Sequence, residues 1–220
     1  MKKTILVLSL VLSILLLAGC TDSEPQFTQK DYTADASQIR EIHIDVRDRA
    51  IEVSLSSDDQ IHISYRESSK EFYDISLSED QVLTMTSASQ KDWSDYIGAK
   101  PAAENRKIFL QIPQAQLTTL EIATTNEDIS LSALAGAEKI SLSSNGGNLL
   151  FDALNPQKEL ILNAKNGSIR GTIAGSYEDY AITCDIKKGE SNLPALKENG
   201  TKKLSVSANN GDIAISFHPF

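Results

Sequence analysis

The chain has 220 residues and a formal net charge of −9, with 30 acids against 21 lysines and arginines. An acidic chain is repelled by phosphate backbones and anionic headgroups, which excludes nucleic-acid binding as its role. Two cysteines cannot make a disulfide framework, and the length is enough to bury a substantial core without one.

Lys2 and Lys3 precede an unbroken run of apolar residues and Ser from Ile5 to Leu17, followed at once by Leu17-Ala18-Gly19-Cys20. The run is short for a membrane span and has the order of an export signal. The small residues before Cys20 resemble the lipobox of bacterial lipoproteins, in which that thiol is lipidated and becomes the first mature residue. Residues 1–19 are therefore expected to be a signal peptide and Cys20 a lipid anchor whose two acyl chains hold the protein on the extracytoplasmic face of the cell membrane. Removing Lys2 and Lys3 takes the charge to −11. Cys184 is then left without an intramolecular partner, and its strand face, shared with Ile182 and Ile186, makes it a small buried hydrophobe.

Residues 20–38 are polar, with Asp22, Glu24, Pro25, Gln29, Lys30 and Asp31, and read as a flexible tether. The folded domain is expected over 39–220. Ile42, Ile44 and Val46, a polar turn at Asp48, then Ile51, Val53 and Leu55 form a first strand-turn-strand unit. Ile61, Ile63 and Tyr65, then Ile75 and Leu77, then Leu83 and Met85 continue as short alternating strands. Alternation stops over residues 87–107, an excursion that carries the single Trp, Trp93, together with Tyr96, and resumes at Ile108, Leu110 and Ile112.

From Leu120 one template recurs five times. Entry strands such as Leu120, Ile122, Thr124 and Leu160, Leu162, Ala164 lead through a polar turn into exit strands beginning at Ile129, Leu149, Ile169, Ser191 and Ile213. The steps of 20, 20, 22 and 22 residues are those of stacked supersecondary units, so the chain is all-β and its expected architecture is a β-solenoid with coils of about 20–22 residues. Asn166-Gly167 and Asn210-Gly211 are also hairpin signals, which keeps an antiparallel β-sandwich of hairpins as the alternative. In stacked coils, Asn126, Asn166 and Asn210 would lie above one another as a side-chain turn ladder.

Thr125-Asn126-Glu127-Asp128-Ile129 and Asn209-Asn210-Gly211-Asp212-Ile213 resemble the Thr-Asn-Gly-Asp-Ile signature of a bacterial family of putative adhesins of unknown function. The resemblance covers roughly 39–220. It implies a single-stranded right-handed β-helix in an exported or membrane-attached protein without an established activity. Glu127, Gly146-Gly147-Asn148 and Lys188-Gly189-Glu190 depart from the signature, which argues against a repeated ligand site but leaves the inward face intact.

No residue set declares a reaction. Alternation puts Asp45, Arg47 and Arg49 on an outward, solvated face. His43, His62 and His218 are scattered, and the acids near the turns repeat at more than twice the period of calcium-binding β-rolls, so no metal or cofactor is expected. The excursion with Trp93 and Tyr96 is the candidate binding surface, with Trp93 alternatively a cap on the core. The last repeat ends at Phe217, which predicts an uncapped final rung and possible end-to-end self-association. The function expected is a non-catalytic, adhesin-like envelope module with a protein or glycan partner; a regulatory envelope-stress protein and a carbohydrate-active enzyme are the alternatives.

Overall fold

The computed structural model describes residues 26–96, 100–114 and 117–218. Among these the regular structure is β-strand with a few 3₁₀ turns, and no helix is long and apolar enough to cross a membrane. The first unit supplies β2 (Glu41–Asp45) and β3 (Ala50–Leu55), after an edge strand β1 (Thr28–Asp35). Then come β4 (Gln60–Glu67), β5 (Glu71–Leu77), β6 (Val82–Ser89) and β7 (Lys107–Ile112). The repeats give β8 (Thr119–Thr124) with β9 (Ile129–Ser132), β10 (Lys139–Ser144) with β11 (Leu149–Leu154), and β12 (Glu159–Ala164) with β13 (Ile169–Ala174). Last are β14 (Tyr180–Lys188), the two-residue β15 (Leu196–Lys197), β16 (Lys202–Asn210) and β17 (Ile213–His218).

Entry strands stack on entry strands and exit strands on exit strands, in parallel. The nine-stranded sheet runs β15-β14-β16-β12-β10-β8-β2-β6-β5, and the eight-stranded sheet runs β1-β4-β7-β3-β9-β11-β13-β17. Register is one to one, so Leu83, Ile42, Leu120, Ile140, Leu160, Leu204 and Ile182 form one apolar column. Ile108, Ile51, Ile129, Leu149, Ile169 and Ile213 form the facing one. All of these side chains are buried. A period of two presents every second residue to the space between the sheets, and burial of these columns is the main stabilising term. The chain is thus a β-solenoid of flattened, two-strand rungs. The alternative of hairpins fails because the strands within a repeat face each other across the core, and antiparallel pairs occur only toward the ends, β1 with β4, β4 with β7, β5 with β6 and β14 with β15.

Spatial order differs from chain order at both ends. The β6 and β7 rung lies outside the β2 and β3 rung that precedes it in sequence. At the other end β16 inserts between β12 and β14, and β17 pairs directly with β13, so the last rung written is the second to last in space. The expected uncapped rung at Phe217 is therefore corrected. Beyond it stand β14 and β15, the buried Leu193, and Asn192, whose amide donates to the Ile215 carbonyl at 2.7 Å while its Oδ1 accepts from the Ile215 N–H at 3.0 Å. That side chain imitates a paired strand along the edge of β17.

Residues 28–38 are also not tether. β1 pairs along its length with β4, and Ala36 is buried. The edge position hides the signal, since most β1 side chains meet solvent and only Tyr32 and Ala34 pack on the core.

The turns stack as closely as the strands. A Cβ on Gly147 would lie 2.0 Å from the Glu127 carbonyl oxygen, on Gly167 2.0 Å from that of Gly147, and on Gly211 2.2 Å from that of Gly167. The glycines of the turn motif are thus demanded by the backbone of the neighbouring rung.

Candidate functional site at the excursion corner

Where repeat turns use four residues, such as 125–128, the β6 and β7 rung uses 90–106, so the excursion projects from the turn side of the rack. It is laid over a charged corner. Asp48 has φ 53°, and this left-handed residue breaks strand alternation and swings Arg49 inward. Arg49 is buried, which overturns the expected outward face for this residue. Its guanidinium donates to Glu71 Oε2 at 2.6 Å, to the Tyr73 hydroxyl at 2.5 Å and to the Asp48 carbonyl at 3.1 Å. Glu71 Oε1 meets Lys91 Nζ at 2.7 Å. Burial opposes the charge on Glu71, but the hydrogen bonds and charges of Arg49 and Lys91 outweigh it and hold its carboxyl below the usual range. Burial raises the Tyr73 hydroxyl, partly offset by Arg49. The cluster encloses a hollow of about 190 Å³ lined by Arg47, Asp48, Glu71, Ser87 and Lys91, among others.

Further ion pairs pin the excursion to this corner. Lys100 lies 3.5 Å from Asp48 and 3.9 Å from Glu127, Arg106 pairs with Glu127, and Lys70 pairs with Asp95. The Gln90 N–H donates to the Lys70 carbonyl at 3.0 Å, and Arg66 reaches Asn105 at 3.4 Å. Trp93 opens a 3₁₀ turn, Trp93–Tyr96, with 77 % of its surface exposed. It therefore does not cap the core. Tyr96 ends the same turn, and its side chain lies outside the described residues, as does Cys20.

The turn ladder is present but mixed. Asn210 Nδ2 donates to Asn166 Oδ1 at 2.7 Å, whereas Asn166 Nδ2 turns to the Asn145 carbonyl at 3.1 Å because Gly146 has no side chain to offer. Asn126 Nδ2 donates to Asp48 Oδ1 at 2.6 Å. Two residues further on runs a column the sequence did not reveal. The Asn148 N–H donates to Asp128 at 2.7 Å, the Ser168 N–H to Asn148 at 2.9 Å, the Asp212 N–H to Ser168 at 3.2 Å, and the Glu190 N–H to Asp212 at 3.1 Å. Each oxygen satisfies the backbone of the next rung, so the Asp of the turn motif is a structural acceptor. That role explains why Asn or Ser can replace it.

A hollow of about 900 Å³ at the far corner is lined by Asp35, Ser37, Asp58 and neighbours. Asp35 accepts from the Ser37 N–H at 2.9 Å. Asp58 is held at about 2 by hydrogen bonds from His62, the Gln60 N–H and Ser56. Cys184 is free and buried on the face expected for it. Among the described residues no group of three His, Cys, Asp or Glu side chains stands ready to hold a metal.

Arg49, Glu71 and Lys91 were missed as a group. Glu71 did carry a signal, since it shares the parity of Tyr73 and Ile75 and should have been read as inward.

The fold recurs in a solved structure. A putative cell adhesion protein from Clostridium sporogenes superposes with a TM-score of 0.61 at 9 % identity, covering 88 % of this chain and 100 % of that one. A putative adhesin from Bacteroides fragilis matches with a TM-score of 0.37 at 11 % identity, over 88 % of this chain and 97 % of its own. No curated protein matches the chain. The Toastrack DUF4097 model matches residues 39–218, and the chain belongs to that family.

Proposed function

We propose that the chain is a lipid-anchored, non-catalytic contact module of the cell envelope, adhesin-like in architecture, with the Trp93 corner as its recognition surface. One observation carries the reading: a large indole stands 77 % exposed on a turn fixed to a rigid solenoid by the Lys70–Asp95, Lys100–Asp48 and Arg106–Glu127 pairs. A pre-positioned aromatic contributes contact area at low ordering cost, which suits recognition. Asp48, Glu71, Asp95 and Glu127 are each engaged by a base, so they serve to hold the excursion in place. The order Lys2, Lys3, apolar run, Leu17-Ala18-Gly19-Cys20 supports export and lipid attachment at Cys20.

In-cell crosslinking of the intact protein in its native membrane, followed by mass spectrometry, tests this. Wild type is expected to capture recurrent envelope material, lipid or protein, that Trp93→Ala loses, and Cys20→Ser is expected to leave the membrane fraction. Capture unchanged by Trp93→Ala would remove the corner from the reading. Recurrent capture of one membrane signalling protein would favour the regulatory alternative.

A further inference from the structure

We propose that the excursion corner contacts the bilayer itself, with the Trp93 indole seated in the interfacial layer of the membrane that holds Cys20. This deepens the preceding reading by naming the partner of the same surface, and it rests on the lipid anchor proposed there.

The first ground is reach. Seven residues, 21–27, separate Cys20 from Thr28, the first residue of β1. The eight steps from Cys20 to Thr28, at 3.3–3.6 Å each, span at most about 29 Å. Thr28 is therefore held within about 29 Å of the lipid surface. The second ground is place. Thr28 pairs with Glu67 at the end of β4, Lys30 lies 3.9 Å from Glu67, and β4 turns through Ser68 and Lys70 into β5. Lys70 is one of the residues that hold the excursion, by its carbonyl to Gln90 and its ammonium to Asp95. The tether and the Trp93 turn thus leave the rack from one corner at one end. The β17 edge lies seven strand spacings away in the same sheet, about 34 Å at roughly 4.8 Å each.

The third ground is chemistry. Trp93 is the most exposed large hydrophobic side chain among the described residues. An indole has an apolar body and one N–H donor, the combination that settles at the headgroup boundary. The lysines around it are paired with acids and the chain is acidic, so the contact is apolar rather than a charge attraction to anionic lipid. One indole binds a bilayer weakly, but tethering makes the encounter intramolecular, and a short tether keeps the local concentration high.

Trp93 is the only tryptophan, so its fluorescence reports this position alone. The intact lipoprotein should be reconstituted into phosphatidylcholine vesicles, floated on a density gradient, and its emission recorded with brominated acyl chains and with iodide. The expected result is a blue-shifted emission that loses intensity to brominated lipid and is shielded from iodide. Inserting about 20 Gly and Ser residues after Glu24 is expected to lower the bromine quenching several-fold, as a longer tether dilutes the corner. Floating protein whose emission stays water-like and open to iodide would overturn the bilayer contact while leaving the anchor standing. Protein that does not float and carries no lipid by intact mass would overturn both.

Discussion

Replacing Gly211 by Ala tests whether the turn glycines are set by rung stacking. An added Cβ would sit 2.2 Å from the Gly167 carbonyl oxygen, 2.5 Å from its carbon and 2.9 Å from the Ser168 nitrogen. All three are backbone atoms, so no side chain can turn away. Relief needs the two turns to separate by about 1 Å, a carbon–oxygen contact being comfortable only near 3.2–3.5 Å. The hydrogen bonds from Asn210 to Lys165 at 3.0 Å and from Ile169 to Asp212 at 2.8 Å tie those turns together. Losing two such bonds costs about 1–3 kcal/mol. Gly211 also has φ 151°, and a side chain there adds about 1–3 kcal/mol of backbone strain. The total is about 2–6 kcal/mol, or a fall in Tm of roughly 4–24 °C for a domain of this size. Gly146→Ala is the matched control. Its Cβ meets chiefly the Asn126 side-chain oxygen at 2.8 Å, with the Asn126 Cα at 3.1 Å, and no left-handed φ is involved. A loss of about 1 kcal/mol is expected there. Urea and thermal denaturation followed by circular dichroism would measure both. Equal losses in the two variants, or a Gly211→Ala Tm within about 2 °C of wild type, would refute the stacking argument.

Glu71→Ala leaves the buried Arg49 guanidinium without its carboxylate, and a loss of about 3–5 kcal/mol in urea unfolding is expected; a loss under about 1 kcal/mol would mean the pair is dispensable. Because the folded state lowers the Glu71 pKa from 4.5, the contribution of this group is complete above pH 4.5 and disappears as pH falls through the lower folded value. Stability below pH 4.5 should therefore fall less steeply in Glu71→Gln than in wild type, and parallel pH profiles would count against it. Deleting Lys202–His218 removes β16, which lies between β12 and β14, together with β17, so β14 should lose its docking site and become open to trypsin at Lys187 and Lys188. A truncated protein as resistant there as wild type would show that β14 holds without β16.

The solenoid was legible because its evidence is local and repeated. Inward residues at Leu120, Ile140 and Leu160 recur in one register, and the physics of a two-residue period makes each strand declare its own buried face. The turn column was half legible. Asn126, Asn166 and Asn210 could be aligned by counting, but only the folded structure shows that Asp128, Asn148, Ser168 and Asp212 carry the more continuous chain of bonds. The excursion was visible as a break in alternation, whereas the burial of Arg49 was hidden by the left-handed φ of Asp48, which resets the parity on which an outward reading depends.

By itself, then, the sequence determined the strand faces, the coil length, the glycine turns and the place of Trp93, because propensity and periodicity act within a few residues. Tertiary structure alone decided the order of the rungs. Leu160 pairs with Leu204 rather than with Ile182, and Ile42 lies between Leu120 and Leu83. Repeats with the same inward face are nearly interchangeable as neighbours, so no local pattern selects among them. The choice rests on what the ends need: β1, β4 and β5 close one end in antiparallel pairs, while β14, β15, Leu193 and Asn192 cover the other.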